Sequence, residues 1–196
     1  MGNVGSTDGK LLHIIVCDII LLDQPFPMQP YIKQSSVYAP PLTSFQKGHM
    51  FEDYVITLFD AYKKRFKLLE WRSAPNSSNG IFVESNRFPD LEFVYLGKYP
   101  QRFAIECKWR EKFVDGKIEW ASHQKICNYV EYEFQNRIPV FVAIGIGGSP
   151  GCPEKLFVTP LSNIAHLPEV YESDLIPYKR PPQKPLFFDV TQLSLF

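Results

Sequence analysis

The sequence predicts an α/β domain whose elements run helix, strand, strand, strand, helix, strand, with a mixed central sheet flanked by helices. Three observations carry this. Residues 45–64 place apolar side chains at helical spacing, three strand-like runs lie between residues 66 and 110, and PVFVAIGI at residues 139–146 is an unbroken apolar run behind a second helical pattern. A continuous run of that kind suits a central strand buried on both faces and parallel to an earlier one. At 196 residues, 45% apolar and 21% charged, the chain is long enough for one ordinary core and is not of disordered composition. Its formal net charge of zero removes any bulk attraction to polyanions, so contacts with nucleic acid must rest on local patches.

Taken in order, residues 1–10 are small and polar, and Met1-Gly2 with Ser6 matches a permissive N-myristoylation pattern. Leu11 to Leu22 is the most hydrophobic run. It is too short to span a bilayer, contains His13 and Asp18, and has no small-residue cleavage site, so it reads as an element buried against the core, with membrane association disfavoured. Asp23 to Pro41 holds five prolines and reads as an extended arm and linker. The expected organisation is therefore an N-terminal element and arm over residues 1–42, a core over 43–165, and a proline-rich extension over 166–196.

Thr43 or Ser44 caps a helix from Phe45 to about Lys64, with Gln46 completing a capping box and Phe51, Val55, Leu58, Phe59 and Tyr62 as its apolar stripe. Glu52 lies beside that stripe, where a carboxylate needs a partner. Lys63, Lys64, Arg65 and Lys67 form a basic patch at the helix end. Phe66 to Trp71 is the first strand, followed by a long Ser, Asn and Gly-rich loop to Phe88. Beyond the next two strands, Asp115-Gly116 is a turn, and Ser122 caps a helix to about Asn136 with Ile126, Val130 and Phe134 expected inside. Gly147 to Pro153 turns the chain, Leu156 to Thr159 is another strand, and Leu161 to Ile164 starts a short helix. The last 30 residues read as a basic, proline-rich arm, packed on the domain or near nucleic acid, in which Leu186 to Val190 can add an edge strand. Cys17, Cys107, Cys127 and Cys152 show no zinc or disulfide spacing, which fits a reducing, cytoplasmic setting.

The chemistry concentrates in Phe88 to Arg110. Leu91, Phe93 and Tyr95 alternate with Asp90, Glu92 and Val94; Phe103, Ile105, Cys107 and Trp109 alternate with Ala104, Glu106 and Lys108. Each strand has one apolar and one charged face, and Glu106 and Lys108 point the same way, roughly 7 Å apart. Closing the hairpin around Gly97 to Gln101 sets Leu96 opposite Arg102 and Asp90 opposite Lys108, diagonal to Glu106. Two carboxylates and an ammonium on one face call for a divalent cation, and carboxylate oxygens with room for water and phosphate suit Mg²⁺. Glu92, on the same face, is the substitute ligand.

Pro89-Asp90 followed by Glu106-Cys107-Lys108 resembles the signature of the PD-(D/E)xK nuclease superfamily, the restriction-endonuclease-like fold, over roughly Ser44 to Gly148. The resemblance implies the αβββαβ core, a metal held by Asp90, Glu106, the Ile105 carbonyl and Glu52, and a glycine one turn before that glutamate, here Gly48, that lets the helix approach the sheet. Gln124 with Tyr129 resembles the glutamine and tyrosine of the RecB-like branch, one residue off its spacing. The function so implied is Mg²⁺-dependent hydrolysis of DNA phosphodiester bonds, read as an endonuclease of restriction, repair or recombination, with Mn²⁺ able to substitute. RNA remains open as a substrate, and cutting both strands would favour a homodimer. The rival reading is a catalytically silent nucleic-acid-binding or scaffold module on the same fold.

Overall fold

A computed structural model describes residues 41–72 and 87–196. The expectations for Leu11 to Leu22, for the arm before residue 41 and for most of the loop after Arg72 lie outside the described residues. Pro40–Phe196 forms one compact unit. Its elements are α1 (Ser44–Thr57), β1 (Phe66–Trp71), β2 (Leu91–Tyr95), β3 (Gln101–Arg110), β4 (Lys117–Glu119), α2 (His123–Asn136), β5 (Val140–Ile146), β6 (Lys155–Pro160), α3 (Leu161–Ile164), β7 (Glu169–Tyr171), α4 (Glu172–Leu175), β8 (Lys179–Arg180), β9 (Phe188–Asp189) and β10 (Ser194–Leu195).

Helix α1 begins where the capping box predicts: the Gln46 amide donates to Thr43 Oγ1 at 3.2 Å and the Thr43 amide to Gln46 Oε1 at 2.8 Å. It ends at Thr57, earlier than the apolar stripe suggests. The Thr57 hydroxyl donates back to the Tyr54 carbonyl at 2.6 Å, the Leu58 amide reaches Val55 at 3.2 Å, and the chain tightens into a 3-10 turn over Asp60–Tyr62. A run of β-branched residues with a back-bonding hydroxyl competes with continued α-helix. Ser122 caps α2 as expected, and Arg137 closes it in the left-handed region at φ 55°.

Six strands form a mixed sheet in the order β1-β2-β3-β5-β6-β8, flanked by α1 and α2. β3 and β5 are parallel and the remaining neighbours antiparallel. A parallel pair needs a crossover, and α2 supplies it. The hairpin register differs from the expected one by two residues: Leu91 pairs with Ile105, Phe93 with Phe103 and Tyr95 with Gln101. Extending that ladder by one step places Asp90 level with Glu106 rather than Lys108. The Leu96 amide donates to the Arg65 carbonyl at 2.6 Å, on the β1 side, so Leu96 joins the loop instead of pairing across it. A slip of two preserves the alternation, and every side chain keeps its face.

One core lies between the sheet and α1, built from Phe51, Val55, Leu91, Phe93, Phe103, Ile105 and Phe141 together with Leu186, Phe188 and Leu195. The other lies under α2, where Ile126, Tyr129 and Tyr132 meet Ala104, Val142 and Ile144, with Trp120, Ile164, Val170 and Leu175. Val130 and Phe134 are not on the inner face of α2; both are exposed, Phe134 at 83%. Residues 166–196 contribute to both cores. Within them β9 pairs with β10 apart from the main sheet, and the edge strand is β8 instead of the Leu186 to Val190 run.

The glycine that admits α1 is also not the expected one. Among the described residues a methyl group on Gly48 would meet nothing within 4 Å, whereas one on Gly145 of β5 would collide with the Phe51 ring. Close approach is therefore secured from the sheet side. The basic patch of Lys63 to Lys67 precedes and opens β1, at the end of the sheet opposite Asp90, roughly 20 Å away along six strand residues.

Candidate active site

Antiparallel pairing of β2 with β3 brings the end of one strand beside the middle of the other. Asp90 precedes β2, and its Oδ2 accepts a hydrogen bond from the Cys107 amide at 2.8 Å. Glu106 and Lys108 follow the pleat of β3 onto the α2 side of the sheet. The Lys108 ammonium makes a close ion pair with Glu106 and stands 3.9 Å from Asp90 Oδ2. The three residues singled out from the hairpin thus converge, even though the register that suggested it was two residues out.

Their environment sets their charge. Glu106 is fully buried, and burial pushes its carboxyl up to about 7, with Asp90 adding to the shift while Lys108 and the Tyr129 hydroxyl oppose it. Burial works against the Lys108 ammonium, but Glu106 and Asp90 outweigh it and hold its pKa above the usual lysine range. Tyr129 reaches Glu106 from α2 and is held neutral by burial and by that carboxylate. Apart from Lys108 and Tyr129, neither Glu106 oxygen finds a hydrogen-bond partner among the described residues. Such under-satisfied buried oxygens beside a second carboxylate fit a hard cation. Among the described residues no three acidic, histidine or cysteine side chains converge as a cation cage. Asp90 and Glu106 are groups of the kind Mg²⁺ takes, since it binds one or two protein carboxylates and completes its shell with water and phosphate.

The remaining candidates belong to other elements. Glu52 is buried on the α1 side of the sheet, where its Oε2 accepts from the Trp71 indole at 2.8 Å. Its charge reaches the site indirectly, since it helps keep the buried Cys107 thiol protonated after burial itself and Asp90. Gln124 is exposed and its amide donates to Asn128 at 3.1 Å along α2, so the helix turns it away from the cluster. His123 is exposed beside it.

Glu92 is not a spare ligand. It is buried, paired with Arg72 and Arg102, and accepts from the Tyr132 hydroxyl at 2.5 Å. Burial pushes its carboxyl up, but Tyr132 and the two guanidinium groups prevail and hold it below the usual range. Arg72 was not among the residues picked out from the sequence, yet it organises this corner. It donates to the Pro89 carbonyl at 2.5 Å, to Glu92 at 3.3 Å and to the Tyr132 hydroxyl at 3.2 Å, and its backbone amide donates to the Asp90 carbonyl at 3.0 Å. Its guanidinium also lies 5.6 Å from the Phe88 ring and 5.5 Å from that of Tyr132. The segment Phe88-Pro89-Asp90 is thereby fixed from the neighbouring strand.

No family model matches the sequence, and neither does any curated protein. Among solved structures the chain is similar to Hjc, a Holliday junction resolvase from the archaeal hyperthermophile Archaeoglobus fulgidus, with a TM-score of 0.43 and 17% identity over 67% of this chain and 90% of that one. No helix among the described residues is long and apolar enough to cross a membrane.

Proposed function

We propose that this protein is a divalent-metal-dependent nuclease that hydrolyses DNA phosphodiester bonds. The observation that supports it is the convergence of Asp90, Glu106 and Lys108 on one face of a hairpin. Asp90 and Glu106, with the carbonyl of the adjacent Ile105, would hold Mg²⁺ or Mn²⁺. When bound, the ion supplies Lewis-acid neutralisation of the scissile phosphate and activation of water.

The chain's own groups divide the rest of the work. Lys108, paired with both carboxylates, orients the attacking water and stabilises the charge growing on phosphate. Tyr129 presents a neutral hydroxyl to Glu106 and fixes its orientation. Arg72 and Cys107 hold Asp90 by its backbone and its side chain. Such preorganisation matters because misplacement of a ligand by an ångström is costly in rate.

The test is incubation of supercoiled and linear DNA with Mg²⁺, Mn²⁺ or EDTA, beside Asp90→Ala and Lys108→Ala. Cleavage that needs metal and falls by at least about 100-fold in both variants is the expected result. DNA binding without cleavage, unchanged in the variants, would sink this proposal and make the fold a binding module.

A further inference from the structure

On the α1 side of the same sheet end a row of flat side chains runs outward from Trp71, which packs against the core. Phe45, the second residue of α1, is 60% exposed. Its ring lies 6.4 Å from that of His49 at an interplanar angle of 5°, and His49 lies 4.7 Å from the Trp71 ring at 9°. Three nearly parallel rings thus run from solvent to the last residue of β1. Trp71 pairs with Leu91, the residue after Asp90, and its indole holds Glu52. Across the helix, Lys47 stands 5.5 Å over the ring of Trp109, which directly follows Lys108. A methyl group on Gly48, in the same helical turn, would touch nothing among the described residues.

Helix-start packing does not account for Phe45. A hydrophobic staple would join the residue before the cap, Leu42, to the fourth helical residue, and that position is Lys47. An exposed aromatic stack at the same sheet end as a phosphate-directed site has a specific physical use. Bases inside a duplex have both faces covered by neighbours, whereas an unpaired base offers a free face to an aromatic ring, whatever its identity. A chain with no net charge also gains little from non-specific attraction to the backbone, so stacking supplies affinity that charge does not.

We infer that the Phe45–His49–Trp71 ladder is a stacking platform for an unpaired nucleobase at the sheet end that bears Asp90 and Lys108, and that the substrate class is DNA with a single-stranded segment, such as an overhang, gap or flap. This inference rests on the nuclease reading above and refines it.

The experiment measures fluorescence anisotropy of a labelled oligothymidylate and of a blunt hairpin duplex in EDTA, for wild type, Phe45→Ala and Phe45→Trp, with thermal melting as the folding control. Wild type should prefer the single strand. Phe45→Ala should weaken that binding by about fivefold or more while leaving duplex binding within about twofold and the melting temperature unchanged, and Phe45→Trp should restore it. Equal binding of the oligothymidylate by wild type and Phe45→Ala overturns the inference, and so does an equal loss on both ligands, which would mark a backbone contact. Absence of single-strand binding by wild type overturns it too. The nuclease reading fails separately, through absence of metal-dependent cleavage on any DNA; Phe45-dependent binding without cleavage would remove that reading and keep the platform.

Discussion

At the scale of single residues, Glu106 carries the sharpest prediction. It must be ionised to ligate a cation, yet burial raises its pKa to about 7 from an ordinary value of 4.5. A carboxyl raised on folding stabilises the protein fully below about 4.5 and loses that contribution as pH rises through about 7. Metal-free protein should therefore lose part of its urea resistance between pH 5 and pH 8, and Glu106→Gln should flatten that dependence. Cation binding runs the other way, because protons compete for the ligand. Mn²⁺ affinity measured by titration calorimetry should fall about tenfold from pH 8 to pH 6. An affinity that stays level over this range would mean Glu106 is ionised throughout and does not carry the proton assigned to it. The pair Glu106 and Lys108 was legible in the sequence because strand alternation alone puts both on one face, and a two-residue error in register cannot undo that. Gln124 was not, because one residue on a helix rotates a side chain by about 100°.

At the scale of elements, what escaped the sequence reading is the inner face of α2. Apolar spacing nominated Val130 and Phe134, but the sheet beneath presents Glu92 and Glu106, and buried carboxylates need donors. Tyr132 and Tyr129 answer them, so the helix turns its tyrosines inward and leaves Phe134 in solvent. The signal was present as two tyrosines three residues apart opposite two acidic strand positions. Arg72 ties this arrangement to β1. Replacing it with alanine should cost about 2–4 kcal/mol in urea unfolding, since it strips a buried carboxylate of one charged partner while Arg102 remains. Tyr132→Phe should cost less, about 1 kcal/mol. Arg72→Ala should also weaken Mn²⁺ binding by freeing the segment that bears Asp90; unchanged binding at reduced stability would restrict Arg72 to a scaffold role.

At the scale of the whole molecule, the order of the main elements was legible up to residue 165, apart from the short β4, because amphipathic periods and caps are local. The C-terminal segment was not, because its prolines hide isolated apolar residues whose burial depends on distant partners. Phe188 has no exposed surface and stacks on Phe103 of β3 at 4.4 Å, with Phe141 of β5 at 6.0 Å. The last residues therefore plug the core beneath the strand that carries Glu106, on the face away from the carboxylates. Phe188→Ala should remove about 3–5 kcal/mol of stability, a large share of the roughly 5–15 kcal/mol a domain of this size has. Because Phe103 and Glu106 point to opposite faces of β3, the chemistry should survive that loss. Cleavage rates at a temperature well below the variant's melting point should match wild type within about twofold, while the melting temperature drops. A rate that falls as far as in Asp90→Ala would show that the C-terminal plug sets the geometry of β3 as well as its stability, and would move Phe188 from the core into the machinery of the site.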